Sequence, residues 1–94
     1  MDRSLIKIDP REVGLSPRAD VMSGARSQYF IIKDRKSRII MKDGHQILQQ
    51  AEIIREHVSG AEISLATSAP VCSKTEAFLG DNGINTLSLA DLPA

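Results

Sequence analysis

Residues 63–84 read Ile-Ser-Leu-Ala-Thr-Ser-Ala-Pro-Val-Cys-Ser-Lys-Thr-Glu-Ala-Phe-Leu-Gly-Asp-Asn-Gly-Ile. Glu62 to Thr67 alternates in the manner of a strand, with Ile63 and Leu65 on one face. A polar loop carrying the only cysteine follows. Ser73-Lys74-Thr75-Glu76 then has the form of a capping box, with Ser73 as N-cap and Glu76 at N3. The helix it opens runs to about Asn82. Gly83 stands where a left-handed cap residue belongs, which folds Ile84 back onto Leu79. Asn85 to Leu89 closes as a strand with Leu87 and Leu89 facing the same way. A strand, a helix and a strand in succession require parallel pairing through a right-handed crossover.

Upstream, Ile47, Leu48, Ala51, Ile54 and Val58 recur at helical spacing and form one apolar stripe. This predicts a helix over 44–59, with Asp43 as its N-cap and Gly60 as its stop. Before it, Tyr29–Lys33 and Arg38–Lys42 are β-rich runs joined by Asp34-Arg35-Lys36-Ser37, a length suited to a hairpin. Residues 1–28 are read as an irregular segment with a short strand over Ser4–Ile8. Asp9-Pro10 and Ser16-Pro17 resemble helix starts there, and Gly14 ends the first after about one turn.

The order from residue 29 is therefore β-β-α-β-α-β. The expected fold is α/β, bordering on α+β: a small two-layer sandwich with a mixed sheet of four or five strands. Both helices lie on one face, strands 38–42, 62–67 and 85–89 are parallel, and strand 29–33 is antiparallel beside the first. Ninety-four residues make one domain, 1–94, with its compact core in 29–94. Only Tyr29, Phe30 and Phe78 are aromatic, so the core is aliphatic and stacking platforms for bases are scarce.

One cysteine forms no internal disulfide, which fits a reducing compartment and a cytoplasmic location. No apolar run approaches the ~20 residues of a membrane span, and Met-Asp-Arg-Ser-Leu-Ile does not read as a signal peptide. The net charge of zero hides a polarity. Residues 1–45 carry ten Lys/Arg against six Asp/Glu, and residues 46–94 carry two against six. Such a division suits nucleic-acid contact, attraction between two halves of one domain, or head-to-tail association of two copies.

Open α/β sheets bind ligands beyond the carboxyl ends of their parallel strands. With the expected strand order, Lys42, His45, Ser68, Cys72, Ser73, Lys74 and Thr75 gather at one rim. Helix N-termini, small hydroxyls and cations are the ingredients of an anion site. The Ser73–Thr75 backbone would donate, Lys42 and Lys74 would neutralise, and Ser68 and Ser73 would orient the group. The competing reading is a tight loop whose polar residues only cap the helix. The loop is not glycine-rich and holds no phosphate-binding spacing. No arginine follows Cys72 at a distance suited to phosphate chemistry on the thiol.

Cys72 is either a packing cysteine or a thiol acidified by the helix end. Ala69-Pro70-Val71-Cys72, between a strand and a helix, resembles the strand–Cys-Pro-x-Cys–helix segment of the glutaredoxin family. The likeness covers about 22 residues. Ala69 stands where that family has its attacking cysteine, and only 22 residues follow Cys72, too few for the rest of that fold. What is shared is a shape.

His45 and His57 lie twelve residues apart, about 18 Å along one helix, and cannot share a metal. No spacing suggests a metal or a cofactor, and no catalytic triad or carboxylate pair can be argued. Lys33, Arg35, Lys36, Arg38 and Lys42 would line the expected hairpin, either as a phosphate-contacting ribbon or as a charged edge that discourages aggregation. The sequence thus favours a small binding or interaction module over an enzyme, with a small anionic ligand, self-association or a protein partner. A thiol-dependent redox or transfer activity at Cys72 is the first alternative, and nucleic-acid binding through 33–42 the second.

Overall fold

The computed structural model describes residues 5–92, so Ser4 of the expected first strand lies outside the described residues. The regular elements are β1 (Ile6–Lys7), β2 (Val21–Ser23), β3 (Gln28–Lys33), α1 (Met41–His57), β4 (Glu62–Thr67), α2 (Ser73–Asp81) and β5 (Asn85–Ser88). Short 3-10 turns occupy Pro10–Val13 and Leu89–Asp91. The strands form one sheet in sequence order. β1, β2 and β3 are antiparallel neighbours, and β3, β4 and β5 are parallel.

Both helices cover the same face of this mixed sheet. Val21, Ile31, Ile63 and Leu65 meet Ile47, Ala51 and Ile54 of α1 and Leu79 of α2 in one buried cluster. Each buried Val, Leu or Ile side chain among them contributes about 1.5–3 kcal/mol by leaving water. On the opposite face Phe30, Ile32 and Ala66 form a smaller cluster, with Leu5, Met22, Leu87, Leu89 and Leu92 packed against it. Strand periodicity separates the two sets, since Phe30 and Ile32 point away from Ile31.

The second strand of the hairpin lies upstream of β3, not downstream. Arg38–Lys42 is no strand: Ile39 makes a single bridge to Val71, and the chain enters α1 at Met41. The reason is visible in burial. Ile39 is fully buried, while Ile40 is 48% exposed. Asp43 accepts the Ile40 N–H at 2.9 Å, which starts the helix at Met41. Asp43 thus acts from N3, and Ile40 is the N-cap.

The antiparallel partner of β3 is β2, whose three residues were too few to show a period. A turn through Arg26 and Ser27, both left-handed with φ of 58° and 63°, connects them. The segment before Gln28 accordingly supplies two strands, and its Val13, Leu15 and Val21 enter the main core. Asp9 does cap the first 3-10 turn by accepting the Arg11 N–H at 3.0 Å. Ser16-Pro17 forms a turn, closed by Ala19 N–H on the Ser16 carbonyl at 2.9 Å, and not a helix.

The C-terminal end of α2 follows its local signals. Gly83 has φ +76°. Its N–H reaches the Gly80 carbonyl at 3.0 Å, and the Ile84 N–H reaches Leu79 at 2.9 Å, the paired bonds of a Schellman turn. Arg55 of α1 donates to the Asn82 carbonyl at 3.0 Å, placing a cation at the negative end of the helix.

Candidate functional site at the paired helix N-termini

α1 and α2 both run from the carboxyl ends of parallel strands, so their N-termini lie at the same edge of the sheet. They touch there. A Cβ on Gly44 would stand 2.9 Å from the Thr75 methyl and 3.5 Å from Phe78. Glycine at this position is what permits the approach. One turn along, the His45 ring packs against Phe78 with centroids 4.7 Å apart.

The loop after β4 is fixed to the segment before α1 by two backbone bonds. Ile39 N–H donates to the Pro70 carbonyl, and Cys72 N–H donates to the Ile39 carbonyl, each at 2.9 Å. This pairing sets Arg38 beside the start of α2. It also sets the helix register. Glu76 N–H bonds the Cys72 carbonyl at 2.9 Å, so the N-cap is Cys72, Ser73 is the first helical residue and Thr75 is N3. The capping box expected from Ser73 and Glu76 does not form, because the backbone pairing with Ile39 makes Cys72 the N-cap and places Ser73 inside the helix. Ser73 and Glu76 are both exposed.

Cys72 is partly exposed and unpaired. The backbone N–H groups of Lys74 and Thr75 face its sulfur and hold the thiol below its ordinary pKa. Partial burial opposes this, and the Thr75 hydroxyl and the Arg38 charge reinforce it. No side-chain bond of standard cap geometry forms, so the effect is that of oriented dipoles and a charge. Thr75 is fully buried, and its Oγ1 makes no well-formed hydrogen bond to any described residue. The Cys72 N–H is taken by the Ile39 carbonyl, so it is not free for a capping-box side chain at N3.

The remaining expected ligands divide into two groups. Lys42 and Lys74 are exposed on the first turns of the two helices, and His45 is exposed beside them. Ser68 is committed elsewhere: its hydroxyl donates to Asp34 at 2.7 Å and accepts the Arg35 N–H at 3.0 Å. It ties down the loop after β3.

Arg35 is committed as well, with its guanidinium 2.6 Å from Asp43 and donating to the Ser37 and Arg38 carbonyls at 3.2 Å. Burial acts against the Asp43 charge, but the Ile40 N–H and the Arg35 guanidinium outweigh it and keep the carboxyl below its usual range. The hairpin ribbon proposed for Lys33, Arg35, Lys36 and Arg38 therefore does not form, and Arg35 acts as an internal clip. His57 is exposed, with its ring over Gly14 and Nδ1 3.1 Å from the Ile53 carbonyl.

A cleft of about 520 Å³ lies on the β5 side of the same loop, with Ser68, Glu76, Thr86 and Ser88 among its walls. Cys72 does not line it. Among the described residues no three His, Cys, Asp or Glu side chains gather to hold a metal ion, and no helix is long and apolar enough to cross a membrane.

Reading along the sequence placed Cys72 beside a helix start but assigned Arg38 to a ribbon. The missing signal was Asp43 three residues after Ile40, which fits an N3 carboxylate bonding back to the N-cap as well as it fits a cap of its own. The fold belongs to the class of small mixed α/β sheets with helices on one face. The chain matches no protein-family model, no curated protein and no solved structure.

Proposed function

We propose that this chain is a small thiol module that acts through an ionised Cys72. The observation that supports this reading is the seating of the sulfur at the N-terminus of α2, under the Lys74 and Thr75 N–H groups and beside Arg38. An anion at this helix end was expected from outside. The protein's own thiolate takes that place. Such a sulfur is a nucleophile near neutral pH, and it must be kept reduced between reactions, which suits a cytoplasmic setting.

The test is the rate of alkylation of the folded protein by iodoacetamide across pH. The expected half-maximal rate lies below the free-thiol value of about 8.5, and denaturation moves it up toward that value. The sign carries over to stability. A thiol pKa lowered by folding adds stability above the unfolded pKa and loses it as pH falls through the folded pKa. The stability advantage over Cys72→Ala thus shrinks as pH drops through that window. A thiol that reacts only after unfolding would overturn the reading.

Self-association is a second reading, supported by the helix-free sheet face. Its cluster of Phe30, Ile32 and Ala66 is covered by Met22, Leu87, Leu89 and Leu92, which are themselves only partly buried. Sedimentation should then show a mass that rises with concentration. A monomer mass from micromolar to millimolar concentration removes it.

A further inference from the structure

The two edges of the sheet are unlike. β1 is two residues long and presents Lys7, whose side chain is largely exposed, and both features discourage pairing with a further chain. β5 is the other edge. Asn85-Thr86-Leu87-Ser88 carries neither charge nor proline and pairs with β4 in unbroken register. Among the described residues, its backbone groups bond nothing beyond the sheet, whose ladder lies on the β4 side alone. Such an edge is a template for another extended segment.

Clefts open on both faces beside this strand. One of about 520 Å³ reaches Ser88 and is walled by Glu76 of α2. The other, of about 460 Å³, reaches Asn85 and is walled by Glu62. The register sets them on opposite faces. Thr86 shares a row with the core residue Leu65, so Ser88 faces the helix side, whereas Asn85 shares a row with Ser64 and Phe30 on the helix-free side. Each glutamate is exposed and is the only charged side chain lining its cleft. Among the described residues neither is ion-paired. Arg55 reaches Gly83 at the second cleft, but its guanidinium is turned to the Asn82 and Gly83 carbonyls. Residues 75–94 contain no lysine or arginine at all.

We propose that the β5 edge takes an extended basic peptide as a sixth strand, with two lysine or arginine side chains three positions apart entering the two clefts. One meets Glu76 and the other Glu62. Side chains at i and i+3 of a strand point to opposite faces. They stand about 10 Å apart along it at ~3.3 Å per residue, which is the step from Asn85 to Ser88. Side chains at i and i+2 share a face and fill only one cleft. The backbone supplies the pairing and the two carboxylates supply the selectivity. Cys72 has no part in it, so the thiol reading and this one stand or fall separately.

The test titrates the intact, isotope-labelled protein with acetyl-Thr-Lys-Val-Thr-Lys-Thr-amide and follows its amide resonances. The resonances of Asn85–Ser88 should move, and their exchange with solvent should slow. A peptide of the same composition with its lysines at i and i+2 should bind about two- to fivefold more weakly, the worth of one exposed ion pair. Glu62→Gln and Glu76→Gln should each cost a similar factor, and both residues are exposed, so the fold does not depend on them. Glutamates in place of the lysines should abolish binding, as should methylation of alternate peptide nitrogens on the bonding edge. Added salt should weaken the lysine peptide.

Equal affinity for the two spacings, or resonance changes confined to residues away from β5, would overturn the proposal. So would the absence of any change up to millimolar peptide. If the β5 resonances instead move with protein concentration alone, a second copy is the occupant and the basic-peptide assignment fails.

Discussion

Ile39→Ala is expected to destabilise the protein by about 2–5 kcal/mol and to alter the Cys72 thiol at the same time. The first part follows from burial alone. Ile39 is fully buried in the main core, and truncating such a side chain loses its transfer energy and leaves a cavity. The second part follows from where its backbone lies. The Ile39 N–H and carbonyl are bonded to Pro70 and Cys72 at 2.9 Å each. Loosening that bridge releases the N-cap and carries Arg38 away from the sulfur.

Leu65→Ala is the natural comparison. Leu65 is equally buried, in the middle of β4, and has no part in the loop. A similar stability loss is expected from it, with the alkylation midpoint of the native fraction unchanged. Denaturant melts and alkylation of both variants, under conditions where each stays folded, decide the matter. Equal thiol behaviour in the two would mean that the bridge does not position the site.

Gly44→Ala should cost about 1–3 kcal/mol, although alanine is the better helix former by about 1 kcal/mol. The added Cβ meets the Thr75 methyl at 2.9 Å. Thr75 is fully buried in the first turn of α2, so the contact is relieved only by moving one helix against the other. The packed pair Gly44–Thr75 sits beside the His45–Phe78 contact, which the same displacement opens. The thiol itself should change little, because the Lys74 and Thr75 N–H groups travel with Cys72 on one helix. A melting temperature equal to or above that of the parent chain would show that the two helix starts are not in contact in solution.

Much of the site was legible because its controls are local. Strand 62–67 alternates within six residues, and the turn from Leu79 to Ile84 is set by Gly83 and bonds spanning five positions. The placing of Cys72 beside a helix start needed nothing more. The apolar stripe of α1 was equally plain, but its start was not. Ile39 and Ile40 are β-branched in any reading, and a short apolar run does not distinguish a strand from a buried crossing segment.

What the chain determined by itself is the sequence of elements from α1 onward, the parallel pairing that their order imposes, and a thiol at the start of a helix. Only the tertiary structure decided which strand stands beside β4, since that depends on pairing across thirty residues of chain and not on either strand's pattern. The same long-range pairing holds Cys72 rather than Ser73 as the α2 cap and brings Arg38 to the sulfur. The physical reason is common to all of these. Caps, turns and the Lys74 and Thr75 N–H groups at the thiol are settled by residues two to five apart, whereas the Ile39 bridge and the Arg38 charge come from a segment more than thirty residues away.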